Sequence, residues 1–351
     1  MKAWKLNDIG DIQFYTDAVK PTAVDNNVIV EVKAAGICGS DIPRVYENGA
    51  HQMPLTIGHE FAGTVVENGT AANPKWLGKR VGVFPLIPCK KCPSCLNRQY
   101  EMCSNYSYLG SRTDGGFAEY VTVPEWNLIE LPDEVSFSQA AMLEPMAVAV
   151  HAIRKLGIEE GPVLVSGAGT IGIFVAMFLM DMGIDDVLVA GKKSVQKNVL
   201  LSLGLKEDDY CDINNTDLSE WVMTKTGNLG AAAYFDCVGS NVSIARAPEL
   251  VRPSGSICLV GNPFGDVNIP RDIYWKILRK QLIVKGTWNS SFYGEYSEEQ
   301  DDWQYVLERL KTGKLHPECV ITNILLLDAL EQGLVMMRDK REEYIKVMLK
   351  V

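Results

Sequence analysis

The chain has 351 residues, above the size at which a single hydrophobic core stops growing, so two domains are expected. Hydrophobic residues make up 47% and charged residues 22%, a globular composition that excludes a disordered or collagen-like chain. Lysine and arginine total 34 against 44 acids, a net charge of −10, which argues against a nucleic-acid partner.

The longest apolar run, 171–180, falls short of the roughly 18 residues that a membrane span needs. Met1-Lys2-Ala3-Trp4-Lys5 carries no apolar leader, so a cytoplasmic protein with no membrane partner is expected. Nine cysteines in a reducing compartment point to metal rather than to disulfides, the more so because they cluster.

Short β-like runs come first, at 28–32, 63–66, 80–84 and 117–123, separated by turn signals; they predict an irregular, mostly β domain. Near Ser138 the texture changes. Residues 138–153 carry helical spacing with one internal proline. Strands then alternate with helices: strand 163–166, helix 171–182, strand 187–190, a helix near 196–203, and strands 232–237, 256–260 and 282–286. Such alternation predicts a parallel sheet covered on both faces. Two helical stretches and a terminal strand, 344–351, follow, and the local pattern leaves open whether that tail returns to the first domain.

The strand Pro162-Val-Leu-Val-Ser166 leads into Gly167-Ala-Gly169-Thr170-Ile171-Gly172, and a helix begins at once. The first glycine allows a tight turn, the second lets the backbone approach a pyrophosphate, and the third lets helix and strand pack closely. In this context the motif predicts dinucleotide binding through Gly167, Gly169, Thr170, Ile171 and Gly172. An acid at the end of the next strand holds the ribose hydroxyls of NAD. Here that strand ends at Gly191-Lys192-Lys193, where two cations suit the 2′-phosphate of NADP. The alternative is a solvated lysine pair, with Asp212 or another acid on the ribose.

Cys89-Lys-Lys-Cys92-Pro-Ser-Cys95 followed by Cys103 places four thiolates in one short loop, the pattern of a closed structural zinc site. A second set is scattered: Cys38 and His59 in turn-rich β stretches, and Glu144 where the texture changes. One thiolate, one imidazole and one carboxylate would leave an open zinc position. Read singly, each has a plain alternative: a buried thiol, a core histidine, a helix-surface acid.

Together these residues resemble the medium-chain, zinc-dependent alcohol and polyol dehydrogenases. Gly58-His59-Glu60-Phe61-Ala62-Gly63 is similar to that family's zinc signature. Cys38-Gly-Ser40-Asp41, the four-cysteine lobe, Asp114-Gly-Gly-Phe-Ala-Glu119 and the Gly167 turn follow in the family's order. The resemblance implies an α/β chain: a chaperonin-10-like, mostly β catalytic domain (1–142 and 287–351) with an inserted Rossmann domain (143–286) and the active site in the cleft between them. It also implies two Zn2+ per chain. Cys38, His59 and Glu144 would hold the catalytic one, with Glu60 close by, and Cys89, Cys92, Cys95 and Cys103 the structural one. Ser40 would pass the alcohol proton outward. Zinc lowers the pKa of a bound alcohol, whose carbon then gives hydride to NAD or NADP. A homodimer or homotetramer is implied, with 256–260 as a candidate interface.

Sorbitol-type members carry His-Tyr where this chain has Pro43-Arg44, and an arginine near Asn289. Arg44 would put a fork of donors where a phosphate could dock, with His51 as a second contact and Trp288 and Asn289 also matching substrate-side positions. A sugar-alcohol phosphate is therefore expected, galactitol 1-phosphate oxidised to tagatose 6-phosphate before others. The alternatives are a structural ion pair of Arg44 with Asp41 or Glu47, a dehydrogenase of free polyols or pentitol phosphates, and a non-catalytic zinc and nucleotide-binding protein.

Overall fold

The computed structural model describes residues 1–158, 160–263, 265–294, 299–340 and 342–351. The chain separates into two compact units, 1–147 with 290–351, and 148–289. These divisions fall a few residues beyond those expected from sequence. Leu143–Leu156 is one continuous helix, and its first turn belongs with the first unit. A side chain at Gly82 would press on Leu143 Cδ1, and Glu144 accepts a hydrogen bond from Tyr108.

The first unit is built on a seven-stranded sheet. Its path runs Ile321–Leu326, Lys346–Lys350, Asn27–Ile37, Glu60–Asn68, Arg80–Val83 and Leu128–Glu130, with Tyr120–Pro124 also paired to Asn27–Ile37. The alternating valines of Asn-Val-Ile-Val-Glu-Val make Asn27–Ile37 the central strand, with Val28, Val30 and Val32 in a core that also takes Phe61, Val65, Phe117 and Val347. The C-terminal tail does return: Lys346–Lys350 pairs antiparallel with the central strand, Val347 opposite Ile37 and Met348 opposite Gly36. Ile321–Leu326 was not foreseen, because its half-exposed residues lack clean alternation.

The second unit holds a six-stranded parallel sheet in the order Tyr210–Asp212, Val187–Gly191, Val163–Ser166, Ala231–Asp236, Val251–Leu259, Ile283–Gly286. In sequence order this is 3-2-1-4-5-6, the doubly wound arrangement, with its switch point between Val163–Ser166 and Ala231–Asp236. The stretch 256–260, expected as a candidate interface, lies mostly in an inner strand flanked on both sides, with Ile257 and Cys258 buried. One edge of the sheet is Tyr210–Asp212; the other is Ile283–Gly286, all four of whose residues are exposed. Among the described residues no helix is long and apolar enough to cross a membrane.

Candidate active site

Three strand segments of the first unit converge on one buried group. Cys38 follows the end of Asn27–Ile37, Glu60 starts the neighbouring strand opposite Gly36, and Lys346 starts the returning C-terminal strand. A side chain at Gly36 would land on the Glu60 carboxylate and on Lys346 Cε, 2.8 Å away, so glycine leaves the room that this pair occupies. The ligand atoms of Cys38, His59 and Glu60 all lie within 4.8 Å of one another.

The second layer is as specific. Ser40 Oγ donates to Cys38 Sγ at 3.3 Å, and Cys38 N–H donates to Asp41 Oδ2 at 3.0 Å. Asp41 is fully buried; its Oδ1 accepts from Arg44 Nη1 at 2.6 Å and lies 3.6 Å from His59 Nδ1. That approach is too long for a hydrogen bond, and His59 Nδ1 is buried without a hydrogen-bond partner among the described residues, an orphaned donor atom facing a carboxylate. Burial works against a charged His59, yet Asp41 and Cys38 outweigh it and hold its pKa well above the usual value. The pocket's field therefore favours a cation, and a half-buried thiol with a buried imidazole and carboxylate fits a zinc ion.

Glu144, the expected third ligand, lies outside the set within 4.8 Å, and Glu60 stands in it instead. Glu144 is buried, accepts from Tyr108 Oη at 3.3 Å, and has its carboxyl pushed up to about 7, chiefly by burial, with His59 acting against that. Glu60 is tied to Lys346 Nζ, which also donates to Ile37 O at 3.2 Å; both residues are 2% exposed. Sequence reasoning missed Lys346. It lies 286 positions from Glu60, in a strand whose return no local motif announces.

The four-cysteine lobe closes as expected. Cys89 Sγ lies 3.9 Å from Cys95 Sγ, Cys92 Sγ lies 3.9 Å from Cys103 Sγ, and all four belong to one group. Sulfurs each about 2.3 Å from a central zinc would sit about 3.8 Å apart, so this spacing fits a tetrahedral ion. Backbone N–H groups of Cys95 and Ser104 pull Cys92 down to about 5, the thiolate form that ligation needs.

A cavity of about 310 Å3 adjoins the Cys38 turn. Ser40, Arg44, Asn48, His51 and Ser111 are among its lining residues. Arg44 thus combines both readings made of it: one terminal nitrogen pairs with Asp41 while the residue lines the cavity. Burial, then the cations Arg112 and Arg44, lower the His51 pKa. Trp288 and Asn289 do not line this cavity. They belong to the second unit, Trp288 half exposed and Asn289 buried with φ 56°.

In the second unit a cavity of about 560 Å3 opens at the switch point of the sheet, lined by Gly167, Gly169, Gly191, Lys192 and Lys193. Gly167 adopts φ 98°, which only glycine takes freely. A side chain at Gly169 would meet nothing within 4 Å, so the backbone is bare where a pyrophosphate would approach. A side chain at Gly172 would collide with Gly167 O. Thr170, Ile171 and Gly172 are not in the lining; they open the helix Thr170–Asp181. Ser240, Ser243 and Arg246 line the cavity too, and sequence reasoning missed them because they follow a different strand. No carboxylate is among the described lining residues. Asp212, the alternative ribose ligand, accepts from Asn214 N at 3.0 Å and from Asn215 Nδ2 at 2.8 Å instead.

Comparison with known proteins gives the family and the fold. Residues 24–133 match the alcohol dehydrogenase GroES-like domain, and residues 170–312 the zinc-binding dehydrogenase domain. The chain is 31% identical over 327 residues to galactitol 1-phosphate 5-dehydrogenase of Escherichia coli, covering 91% of each chain. The crystal structure of galactitol-1-phosphate dehydrogenase from Escherichia coli superimposes with a TM-score of 0.90, at 28% identity over 100% of both chains. That of a zinc-binding dehydrogenase from Sinorhizobium meliloti bound to NADP has a TM-score of 0.89, at 25% identity over 100% of this chain and 99% of that one.

Proposed function

Because the chain belongs to the family of zinc-dependent alcohol and polyol dehydrogenases, we propose that it oxidises a secondary alcohol of a sugar-alcohol phosphate, galactitol 1-phosphate to tagatose 6-phosphate, with NADP as hydride acceptor. The observation that carries the substrate reading is the 310 Å3 cavity, where Arg44, His51 and Ser111 stand beside Ser40. Asp41 engages one nitrogen of Arg44, and a guanidinium has five donors, so the fork keeps capacity for a phosphate. NADP is favoured over NAD because cations, and no described carboxylate, line the nucleotide cavity.

Two zinc ions per chain complete the reading. Cys89, Cys92, Cys95 and Cys103 hold a structural ion; Cys38 and His59 hold the catalytic one with a carboxylate from Glu144 or Glu60. When bound, that ion supplies Lewis acidity that lowers the pKa of the substrate alcohol. Ser40, between Cys38 and the cavity, accepts the alcohol proton and passes it outward. Asp41 faces His59, and Lys346 neutralises Glu60.

The test is the initial rate of NADP and NAD reduction with galactitol 1-phosphate, galactitol and sorbitol side by side. We expect the phosphate alone to turn over rapidly. Arg44→Ala should raise its KM by about 10- to 100-fold, the loss of a charge-assisted hydrogen bond, and Arg44→Lys should restore only part. Equal turnover of an unphosphorylated polyol, or an unchanged KM in Arg44→Ala, would refute the phosphate site.

The exposed edge Ile283–Gly286 carries the proposed subunit contact. Ile283 is 50% and Val284 44% exposed, an apolar strand edge that pairing with a second copy would cover. Ile283→Lys is expected to halve the mass measured by sedimentation or light scattering. An unchanged mass would move the contact elsewhere.

A further inference from the structure

We propose that Tyr210 is a specificity-determining, positioning residue of the nucleotide site, whose ring keeps position 191 free of the carboxylate that an NAD site would place there. The inference rests on the reading that the 560 Å3 cavity takes a dinucleotide. The strand Val187–Gly191 ends where a ribose-binding acid would stand. Gly191 does not adopt a positive φ, so its backbone imposes no need for glycine. Space does. A Cβ there would lie 2.9 Å from Ala168 Cβ and 2.9 Å from Tyr210 Cζ, and closer still to Tyr210 Oη.

The segment that supplies this ring also straps the turn. Ile213 N–H donates to Gly191 O at 3.0 Å, Asn214 Nδ2 to Lys192 O at 2.8 Å, and Tyr210 Oη to Lys193 O at 3.3 Å. Three successive carbonyls are therefore tied to residues 210–214. That fixes the backbone from which Lys192 and Lys193 line the cavity, on the same lining as Arg246. A preorganised set of cations around a position that cannot carry an acid selects a 2′-phosphorylated ribose. Cofactor choice is then held by two residues in different strands, and changing either alone should not reverse it.

Calorimetric binding of 2′,5′-ADP and 5′-AMP to the full chain tests this, with thermal unfolding recorded for every variant. The wild type should bind 2′,5′-ADP at least about tenfold more tightly. Gly191→Asp alone should weaken both ligands, because the new side chain must displace the ring. Gly191→Asp with Tyr210→Ala should reverse the preference toward 5′-AMP; if that variant does not fold, Tyr210→Val takes its place and keeps a strand-forming residue. Reversal by Gly191→Asp alone, with stability unchanged, would overturn the role of Tyr210, as would a folded double variant that still prefers 2′,5′-ADP. A wild type that binds neither ligand would instead refute the dinucleotide reading, and one that prefers 5′-AMP the NADP reading.

Discussion

Cys38→Ala should remove one zinc equivalent per chain and lower turnover by about 10³-fold or more, while the fold survives. The argument is energetic. Lewis-acid stabilisation is worth several kcal/mol, and each 1.36 kcal/mol is tenfold in rate. Cys38 sits in a turn at the end of the central strand, and its side chain takes little part in the core, so its loss removes a ligand and leaves the packing in place. Cys92→Ala is the counterpart. It too should remove one equivalent, but from the four-cysteine lobe, so its main effect is a lower unfolding temperature. Elemental analysis with turnover and thermal unfolding on both variants separates the two roles. Unchanged zinc content in Cys38→Ala, or full activity in a zinc-depleted Cys38→Ala chain, would sink the assignment.

Lys346→Met should destabilise the chain by about 3–5 kcal/mol, the usual cost of stranding one member of a buried ion pair. Lys346 and Glu60 are each 2% exposed, and Glu60 would be left without its cation beside the buried Glu144. Burial disfavours the Lys346 charge, yet Glu60 and Cys38 hold its pKa above the usual value. A raised lysine pKa means stability that is present below the unfolded-state value and is lost as pH rises through the folded one, so the pair is intact at neutral pH. Urea unfolding of Lys346→Met and of Lys346→Met with Glu60→Gln decides the point. The double variant should recover most of the loss, because no unpaired charge remains. A single variant within about 0.5 kcal/mol of wild type would show that the pair contributes nothing.

The two candidate metal sites differ in how far they could be read from the chain. Cys89, Cys92, Cys95 and Cys103 lie within 15 residues, so their convergence follows from chain connectivity, and the structure closes them as expected. Cys38 and His59 were legible only as members of an ensemble, since a lone thiol or a lone core imidazole is ordinary. Which carboxylate stands beside them depends on register: Glu60 faces Gly36 across an antiparallel pair, and a slip of one residue would turn it to the other face. Arg44 was legible as a cation near the site, but not as one shared between Asp41 and a cavity.

Local signals settle whatever is enclosed in one stretch of chain. By itself the sequence determined the doubly wound dinucleotide unit, the glycine turn at Gly167 and the cysteine lobe, because strand–helix periodicity, tight turns and short ligand spacings are properties of neighbours. Tertiary structure alone decided three things: the return of Lys346 to Glu60, the exposure of Ile283–Gly286 as a sheet edge, and the placing of Tyr210 against Gly191. Each joins residues through strand order and register. Those depend on the packing of the whole core, which no window of sequence contains.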